Sequence, residues 1–150
     1  MHVLFVCTAN INRSFMAEVI FKARSRKHGK QHITVSSAAL VDMKEAPADP
    51  VAVKTLLENG FEGTDHHSRL LTEEMVSAAD IISVMEEAQR RLIIERYPEA
   101  EAKVRLLKSF MKGYQGIDTD IKDPYRMPVY YYRLCFSEIY LAVEGMLEAV

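Results

Sequence analysis

The sequence predicts a three-layer α/β/α fold, in which helices cover both faces of a four-stranded parallel sheet. Short apolar runs, partly β-branched, are typical of buried parallel strands and alternate along the chain with longer segments of helical periodicity. This alternation is the pattern of doubly wound α/β proteins. A length of 150 residues allows one sizeable core and is short for two. We therefore expect a single domain over residues 1–150.

The first strand and the first helix are predicted next to each other. Residues 3–7 form a continuously apolar run, and residues 14–28 then carry apolar side chains at helical spacing. Gly29 stands where this helix is expected to end. The side chains predicted to face the core are Met16, Val19, Ile20 and Ala23. A short loop therefore joins a strand to a helix.

The same alternation continues to the end of the chain. A second strand is predicted over 33–37, and an Asp-Pro pair at 49–50 opens a helix that closes at Gly60. The next predicted elements are a helix from 72, a strand over 80–84, a helix over 86–96 and a strand over 104–107. A polar loop over 109–128 then leads to a final helix over 129–150. Its predicted apolar face consists of Leu134, Ile139, Leu141 and Met146.

Composition and charge exclude several classes of protein. Hydrophobic residues make up 49% of the chain and charged residues 27%, which argues against disorder. A formal net charge of -2 gives no long-range attraction to nucleic acid or to an anionic membrane, so neither is an expected partner. The apolar start is too short for a signal peptide or a membrane span. With only two cysteines, Cys7 and Cys135, we expect a cytoplasmic protein in which Cys135 is a core thiol.

The loop over residues 7–14, Cys-Thr-Ala-Asn-Ile-Asn-Arg-Ser, is the first candidate site. A loop between a strand and a helix directs backbone N–H groups into one concavity, and the helix dipole adds to its attraction for a dianion. The same environment favours thiolate over thiol, so Cys7 is a candidate nucleophile. Arg13 can hold two oxygens of a phosphate through its planar guanidinium. A cysteine that ends a buried strand can also be an ordinary core residue.

Three further residues bear on this chemistry. Asn10 tolerates left-handed backbone angles and is expected to fix the shape of the loop. Ser14 either caps the helix or donates its hydroxyl to the Cys7 sulfur, and both roles stay open. Asp123 precedes a proline that stiffens its backbone, which makes it the candidate proton donor, although an Asp-Pro pair is also a common turn. Asp120 lies close by in the sequence but lacks the proline.

Taken in order, these motifs resemble the low-molecular-weight protein tyrosine phosphatase family. VLFVCTANINRSFMAE over 3–18 resembles the family's first strand, phosphate loop and helix start. VSSAA over 35–39 resembles its second strand, and His66 with Arg69 resembles its H-x-x-R segment. ADIISVM over 79–85 resembles the third strand, and Asp-Pro-Tyr from Asp123 resembles the acid loop. The resemblance covers the chain from end to end.

The resemblance implies the phosphotyrosine protein phosphatase I-like fold and hydrolysis of phosphotyrosine through a phosphocysteine intermediate. It implies Cys7 as nucleophile, Arg13 as phosphate binder, Ser14 as thiolate stabiliser and Asp123 as general acid and then base. The residues implied to bind phosphate are Thr8, Ala9, Asn10, Ile11, Asn12 and Arg13. The supporting network implied is Ser14, Asn10, Ser37 and His66, and the implied substrate entrance is Ile11, Met43 and Tyr125.

No metal or organic cofactor is implied by the resemblance. His66 and His67 are adjacent, and adjacent residues rarely bind one metal ion, so no metal site is predicted there. The implied partner is a phosphotyrosine-containing protein, with a tyrosine kinase as a further candidate, and we expect a monomer. The tyrosines at 130–132 are expected to be partly buried where the last helix begins.

Several positions depart from the family pattern and leave alternatives open. Asn12 stands where many members have a second cysteine, Ala9 replaces a common glycine, and Phe15 replaces a common proline. Family members specialised for phosphoarginine carry threonine where this chain has Ile11, so the apolar side chain favours an aromatic ring. The alternatives are a phosphoarginine phosphatase, a non-catalytic phosphate-binding module and a thiol-dependent arsenate reductase, which needs additional cysteines.

Overall fold

The computed structural model describes residues 1–63 and 65–150 and contains a four-stranded sheet in which all strands are parallel. The spatial order is β2-β1-β3-β4. The strands are β1 (His2–Cys7), β2 (Thr34–Ala39), β3 (Ile81–Val84) and β4 (Val104–Leu106). Because β1 lies between β2 and β3, Cys7 ends a central strand, beside the point where the strand order reverses. In open α/β sheets, this is where ligands bind.

The helices are α1 (Arg13–Lys27), α2 (Pro50–Glu58), α3 (Glu73–Ala78), α4 (Glu87–Arg96) and α5 (Val129–Ala149). All predicted helices and strands are present, and their ends lie within two residues of the predicted positions. Two 3-10 helices were not predicted, Pro98–Lys103 and Leu107–Phe110, and the second of these overlaps the predicted loop. The predicted α/β fold with four parallel strands is confirmed.

The side chains of β1 divide the core into two halves, because successive residues of a strand point to opposite faces. Val3, Phe5 and Cys7 pack in the cluster formed with α1, α2 and α5. Leu4 and Val6 pack in the other cluster, to which α3 and α4 contribute. Helices therefore cover both faces of the sheet, as the continuous apolar run of β1 predicts.

The buried face of α5 differs from the prediction. Ile139 and Met146 are buried, but Leu134 and Leu141 are 44% and 54% exposed. The buried residues of α5 are Tyr132, Cys135, Phe136, Ile139, Ala142, Val143, Met146 and Leu147. Seven residues separate Leu134 from Leu141, so both lie on one stripe, and the helix presents a different stripe to the core. Cys135 is a core residue as predicted.

Two smaller expectations about packing were also wrong. Ala23 of α1 is exposed, and α1 instead buries Phe15, Ala17 and Phe21 beside the predicted Met16 and Ile20. Of the three consecutive tyrosines only Tyr132 is buried, whereas Tyr130 and Tyr131 are exposed. Among the residues that the structure describes, no helix combines the length and the apolar character that a membrane crossing requires.

Gly145 provides a test of how α5 packs. A Cβ at this position would overlap the backbone carbonyl oxygen of Phe110, at the end of the 3-10 helix Leu107–Phe110. Alanine is ordinarily the better helix former by about 1 kcal/mol, but overpacking costs about 1–3 kcal/mol and sometimes more. Gly145→Ala is expected to lower the free energy of unfolding in urea. The control is Ser137→Ala at an exposed position of α5, and equal or greater stability of Gly145→Ala would contradict this packing.

Candidate active site

The loop between β1 and α1 folds back around the sulfur atom of Cys7. Asn10 has φ of 55°, the left-handed conformation predicted for it. The backbone N–H of Asn10 donates to Cys7 Sγ at 3.3 Å, and that of Ser14 donates at 3.5 Å. The Ser14 hydroxyl lies 3.0 Å from the same sulfur. Donors around a sulfur atom at a helix N-terminus stabilise negative charge on it.

The side chain of Asn10 holds the loop through three hydrogen bonds. Its Nδ2 donates to Ser14 Oγ at 2.8 Å and to Ser37 Oγ at 2.9 Å, and its Oδ1 accepts from the backbone N–H of Arg69 at 3.1 Å. Because Ser14 Oγ accepts from Asn10, its own proton is free to point at the Cys7 sulfur. Helix α1 has no side-chain N-cap. Of the two roles left open for Ser14, the structure shows contact with the sulfur.

The segment over 66–69 supports the loop from the other side. His66 Nε2 lies 2.6 Å from the backbone oxygen of Asn10, which can only accept, so this nitrogen carries the proton. Ser68 Oγ donates to the backbone oxygen of Ala9 at 2.7 Å. Ser37 Oγ accepts from Asn10 and donates to Glu18 Oε1 at 2.8 Å. Asn10, Ser14, Ser37 and His66 thus form one connected network.

Arg13 is buried and is fixed by groups from distant parts of the chain. Its Nη1 donates to Glu86 Oε1 and, at 2.9 Å, to the backbone oxygen of Ile121. Its Nη2 lies 3.8 Å from Asp123 Oδ2. Burial alone would lower the pKa of Arg13, but attraction from Cys7, Glu86 and Asp123 outweighs it and the pKa is raised. The guanidinium therefore remains charged and faces the sulfur-containing pocket.

Asp123 lies on the loop before α5, and its side chain is 46% exposed. Its Oδ1 accepts from the backbone N–H of Tyr125 at 3.0 Å, and Met127 N donates to Pro124 O at 2.8 Å, so the segment forms a tight turn. Asp120 is turned elsewhere, since its Oδ1 accepts from the backbone N–H of Glu87. Of the two nearby carboxylates, only Asp123 lines the pocket.

A pocket of about 80 Å³ brings most of the predicted site residues together. Its lining residues are Cys7, Ala9, Ile11, Asn12, Arg13, Met43, Asp123 and Tyr125. The predicted nucleophile, phosphate clamp, proton donor and entrance residues thus share one cavity. Of the residues predicted to bind phosphate, two do not line it: Thr8 is exposed and accepts from Gln89 Nε2 at 3.2 Å, and the side chain of Asn10 faces its network. The other predicted supporting residues, Ser14, Ser37 and His66, lie outside the lining as well.

Four residues around the site were missed by sequence reasoning. Glu86 fixes Arg13, and Ser68 supports Ala9. Asp49 accepts from Asn12, and Tyr132 donates to Asp49. Asp49 was predicted only as a helix cap, a role it also has, since it accepts from Val51 N at 2.9 Å. Ser68 follows the two histidines of the H-x-x-R segment, which was the available signal for it.

The pocket suits an oxyanion. It combines a guanidinium, a helix N-terminus and a sulfur atom surrounded by donors, with a carboxyl group at its edge. Within residues 1–63 and 65–150, no group of three or more His, Cys, Asp or Glu side chains is placed to hold a metal ion. This arrangement can accommodate nucleophilic attack at phosphorus with proton transfer to the leaving atom.

Comparison with known proteins identifies the family. The family model described as "Low molecular weight phosphotyrosine protein phosphatase" matches residues 2–150. The chain belongs to this family. It is 34% identical to a low molecular weight protein-tyrosine-phosphatase of Streptomyces coelicolor, covering 99% of this chain and 92% of the relative. It is also 32% identical to a protein-arginine-phosphatase of Bacillus subtilis, covering 93% of this chain and 89% of the relative.

A solved structure of the family has the same fold. The low molecular weight protein tyrosine phosphatase from T. tengcongensis superposes with a TM-score of 0.91 at 35% identity, covering 100% of this chain and 99% of that one. The chain is therefore a phosphatase of the low molecular weight family. Its curated relatives include enzymes named for phosphotyrosine and enzymes named for phosphoarginine.

The protonation of His66 makes the stability of the protein depend on pH. Burial lowers the pKa of His66 below 6.5, and the positive charges of Arg69 and His67 also lower it. The hydrogen bond to the Asn10 backbone and the negative charge of Glu18 raise this pKa, but they do not outweigh burial. The unfolded chain then binds a proton at this residue more readily than the folded chain. The contribution of His66 to the free energy of unfolding is therefore fully present above about pH 6.5 and is lost as the pH drops through the lowered pKa. His66→Gln removes this dependence.

The test for His66 compares free energies of unfolding at about pH 7.5 and about pH 5. The wild type should lose more stability between them than His66→Gln, and His32→Gln at an exposed position controls for loss of an imidazole. The ring titration of His66 should be followed by NMR in the same samples. A midpoint at or above 6.5 would show that burial does not dominate this site.

Proposed function

We propose that this phosphatase hydrolyses protein phosphotyrosine through a phosphocysteine intermediate on Cys7. The observation that carries the proposal is the single pocket in which the Cys7 sulfur, the Arg13 guanidinium and the Asp123 carboxyl group meet. The partner is then a phosphotyrosine-containing protein. A protein that only binds phosphate has no need of a carboxyl group at the pocket edge, so the pocket favours catalysis over a non-catalytic module.

In the first step, the Cys7 thiolate attacks phosphorus and the bond from phosphorus to the phenolic oxygen breaks. Asp123 gives its proton to that oxygen, so that tyrosine leaves as the neutral phenol. Arg13 and the loop amides bind the equatorial oxygens of the phosphoryl group. The Asn10 and Ser14 N–H groups that donate to the sulfur hold it at the base of this pocket.

In the second step, water attacks the phosphorus of the phosphocysteine while the Asp123 carboxylate takes a proton from that water. The bond from phosphorus to sulfur breaks, and Cys7 leaves as a thiolate. The Ser14 hydroxyl, 3.0 Å from the sulfur, stabilises the charge that returns to it. Inorganic phosphate is released, and Asp123 is again protonated for the next cycle.

The pocket rim supports an aromatic substrate. Ile11, Met43 and Tyr125 surround the opening with apolar surface, and the Tyr125 side chain is 47% exposed. The Arg126 guanidinium lies over the ring of Tyr125, 5.3 Å from its centroid, at the distance of a cation–π contact. A phosphotyrosine ring can pack between such side chains. Phosphoarginine is the second candidate, because the Bacillus subtilis relative is named for it.

Arsenate reduction is disfavoured by the cysteines. That chemistry needs further thiols to resolve an adduct on Cys7, and the other cysteine, Cys135, is buried in the packed face of α5. Burial raises the pKa of the Cys135 thiol, which makes it a poor nucleophile. A hydrolytic reaction requires no second thiol.

The catalytic roles predict how phosphate release from a phosphotyrosine peptide changes in variants. Cys7→Ser is expected to abolish turnover, because a serine hydroxyl is a far weaker nucleophile in this setting. Asp123→Asn is expected to lower kcat/KM by about 10²–10⁴-fold, since it removes the proton donor. Asp120→Asn is the matched control and should retain activity. Equal losses in the two Asp variants would refute the role of Asp123.

Substrate choice is tested at Ile11. Ile11→Thr and Ile11→Val place side chains of nearly the same shape in the pocket rim, so they differ mainly by a hydroxyl in place of a methyl group. The ratio of kcat/KM for phosphotyrosine over phosphoarginine peptides should fall by about tenfold in Ile11→Thr and stay near the wild-type value in Ile11→Val. A wild-type preference for phosphoarginine would overturn the substrate proposal and leave the two-step chemistry intact.

A further inference from the structure

A row of exposed apolar side chains follows Tyr125 along the chain. Its members, which we call the apolar patch, are Met127, Val129, Tyr130 and Tyr131. Each of the four residues is between 42% and 66% exposed. Single exposed apolar residues are ordinary on a protein surface, but several that lie together mark a binding surface.

The patch lies where α5 begins, and this part of the helix protrudes. Successive helical residues point about 100° apart, so three consecutive exposed residues, Val129 to Tyr131, leave most of the first turn uncovered. The rings of Tyr130 and Tyr131 lie edge to face, with their centroids 5.3 Å apart. The two rings therefore form one continuous aromatic surface rather than two isolated side chains.

One end of the patch adjoins the pocket through the turn that carries Asp123. Tyr125 lines the pocket, and Met127 is the second residue after it. The backbone N–H of Met127 donates to Pro124 O at 2.8 Å, which closes the turn and keeps Met127 close to Tyr125. A substrate that packs on Tyr125 therefore meets the patch next.

The other end of the patch adjoins the phosphate loop. The hydroxyl of Tyr132 donates to Asp49 Oδ2 at 2.5 Å, and the same oxygen accepts from Asn12 Nδ2 at 3.1 Å. Asn12 lines the pocket. The first turn of α5 is thus fixed against the loop around the Cys7 sulfur, so the patch and the pocket belong to one surface.

The charges near the patch favour an anionic partner. Over residues 122–131 the chain carries two cations, Lys122 and Arg126, and one carboxylate, Asp123. Lys122 and Arg126 are exposed, and a phosphorylated protein segment brings negative charge to them. A second copy of this chain, docked about a two-fold axis through the patch, would place the same cations opposite each other and cover the pocket. A substrate segment is therefore the better occupant.

We propose that the apolar patch binds apolar side chains that flank phosphotyrosine in the substrate protein, so that the enzyme selects phosphotyrosine in apolar segments. The inference rests on the proposed phosphotyrosine activity. An extended chain advances about 3.4 Å per residue, so side chains within about four residues of the phosphotyrosine can reach from the pocket to the patch. These contacts are the same before and during the reaction, so they lower KM and leave kcat nearly unchanged.

The experiment compares two phosphotyrosine peptides of equal length and charge. One carries leucine and phenylalanine on both sides of the phosphotyrosine, and the other carries serine and threonine there. For the wild type, kcat/KM is expected to be about tenfold higher for the apolar peptide, with most of the difference in KM. p-Nitrophenyl phosphate, which is too small to reach from the pocket to the patch, reports the chemistry alone.

Tyr130→Ser removes the most exposed side chain of the patch. The preference for the apolar peptide is expected to fall from about tenfold to about threefold or less. Leu141→Ser is the matched control and should keep the wild-type preference, because Leu141 is also an exposed apolar residue of α5 but lies about 16 Å further along the helix. The ratio of the two kcat/KM values does not depend on the folded fraction, so partial unfolding cannot produce the expected result.

The outcomes distinguish this inference from the proposed function. If the wild type hydrolyses both peptides equally well, or if Tyr130→Ser changes the preference no more than Leu141→Ser does, docking on the patch is overturned and the phosphatase assignment stands. Sedimentation equilibrium at the assay concentration adds a second check, since a dimer that Tyr130→Ser dissociates would assign the patch to a second copy of this chain instead. If the wild type hydrolyses p-nitrophenyl phosphate but neither peptide, the phosphotyrosine proposal fails and the inference fails with it.

Discussion

The backbone conformation of Asn10 is the constraint on which the rest of the site depends. A left-handed residue at this point turns the chain back so that the N–H groups of Asn10 and Ser14 both reach the sulfur of Cys7. Glycine would allow the turn but could not bind Ser14, Ser37 and the Arg69 N–H. Most larger side chains would resist the turn. Asparagine satisfies both requirements, because it tolerates the left-handed region and carries a donor and an acceptor.

Most of the fold follows from local patterns in the sequence. Apolar runs, helical spacing and caps such as Asp49 predict each strand and helix to within two residues. The buried face of α5 does not follow from them, because leucines and other apolar residues lie on more than one stripe of the helix. Which stripe faces the core depends on tertiary contacts, among them the close approach of Gly145 to the Phe110 carbonyl. A prediction based on hydrophobicity alone therefore placed Leu134 and Leu141 on the buried face, whereas both are exposed.

The parts of the candidate site that carry a local sequence signal were predictable. Cys7 and Arg13 flank a loop between a strand and a helix, and Asp123 is marked by the following proline. Glu86 and Tyr132 carry no such local mark. Glu86 contacts Arg13 across 73 residues of sequence, and Tyr132 contacts Asp49 across 83. A single sequence does not show which distant polar side chains pair, so the residues that hold the candidate site in place emerge only from the fold.

The hydrogen bonds of Asn10 also bear on how the protein acquires activity. Its partners come from β2 and from the 66–69 segment, 27 and 59 residues away in the chain. Contacts of this separation form only after long stretches of backbone have been ordered, and parallel strands are slow to pair for the same reason. A chain that has made only its helices cannot hold the loop around the sulfur. We therefore expect turnover to begin only when folding is complete, and nascent or partly folded molecules to be inactive.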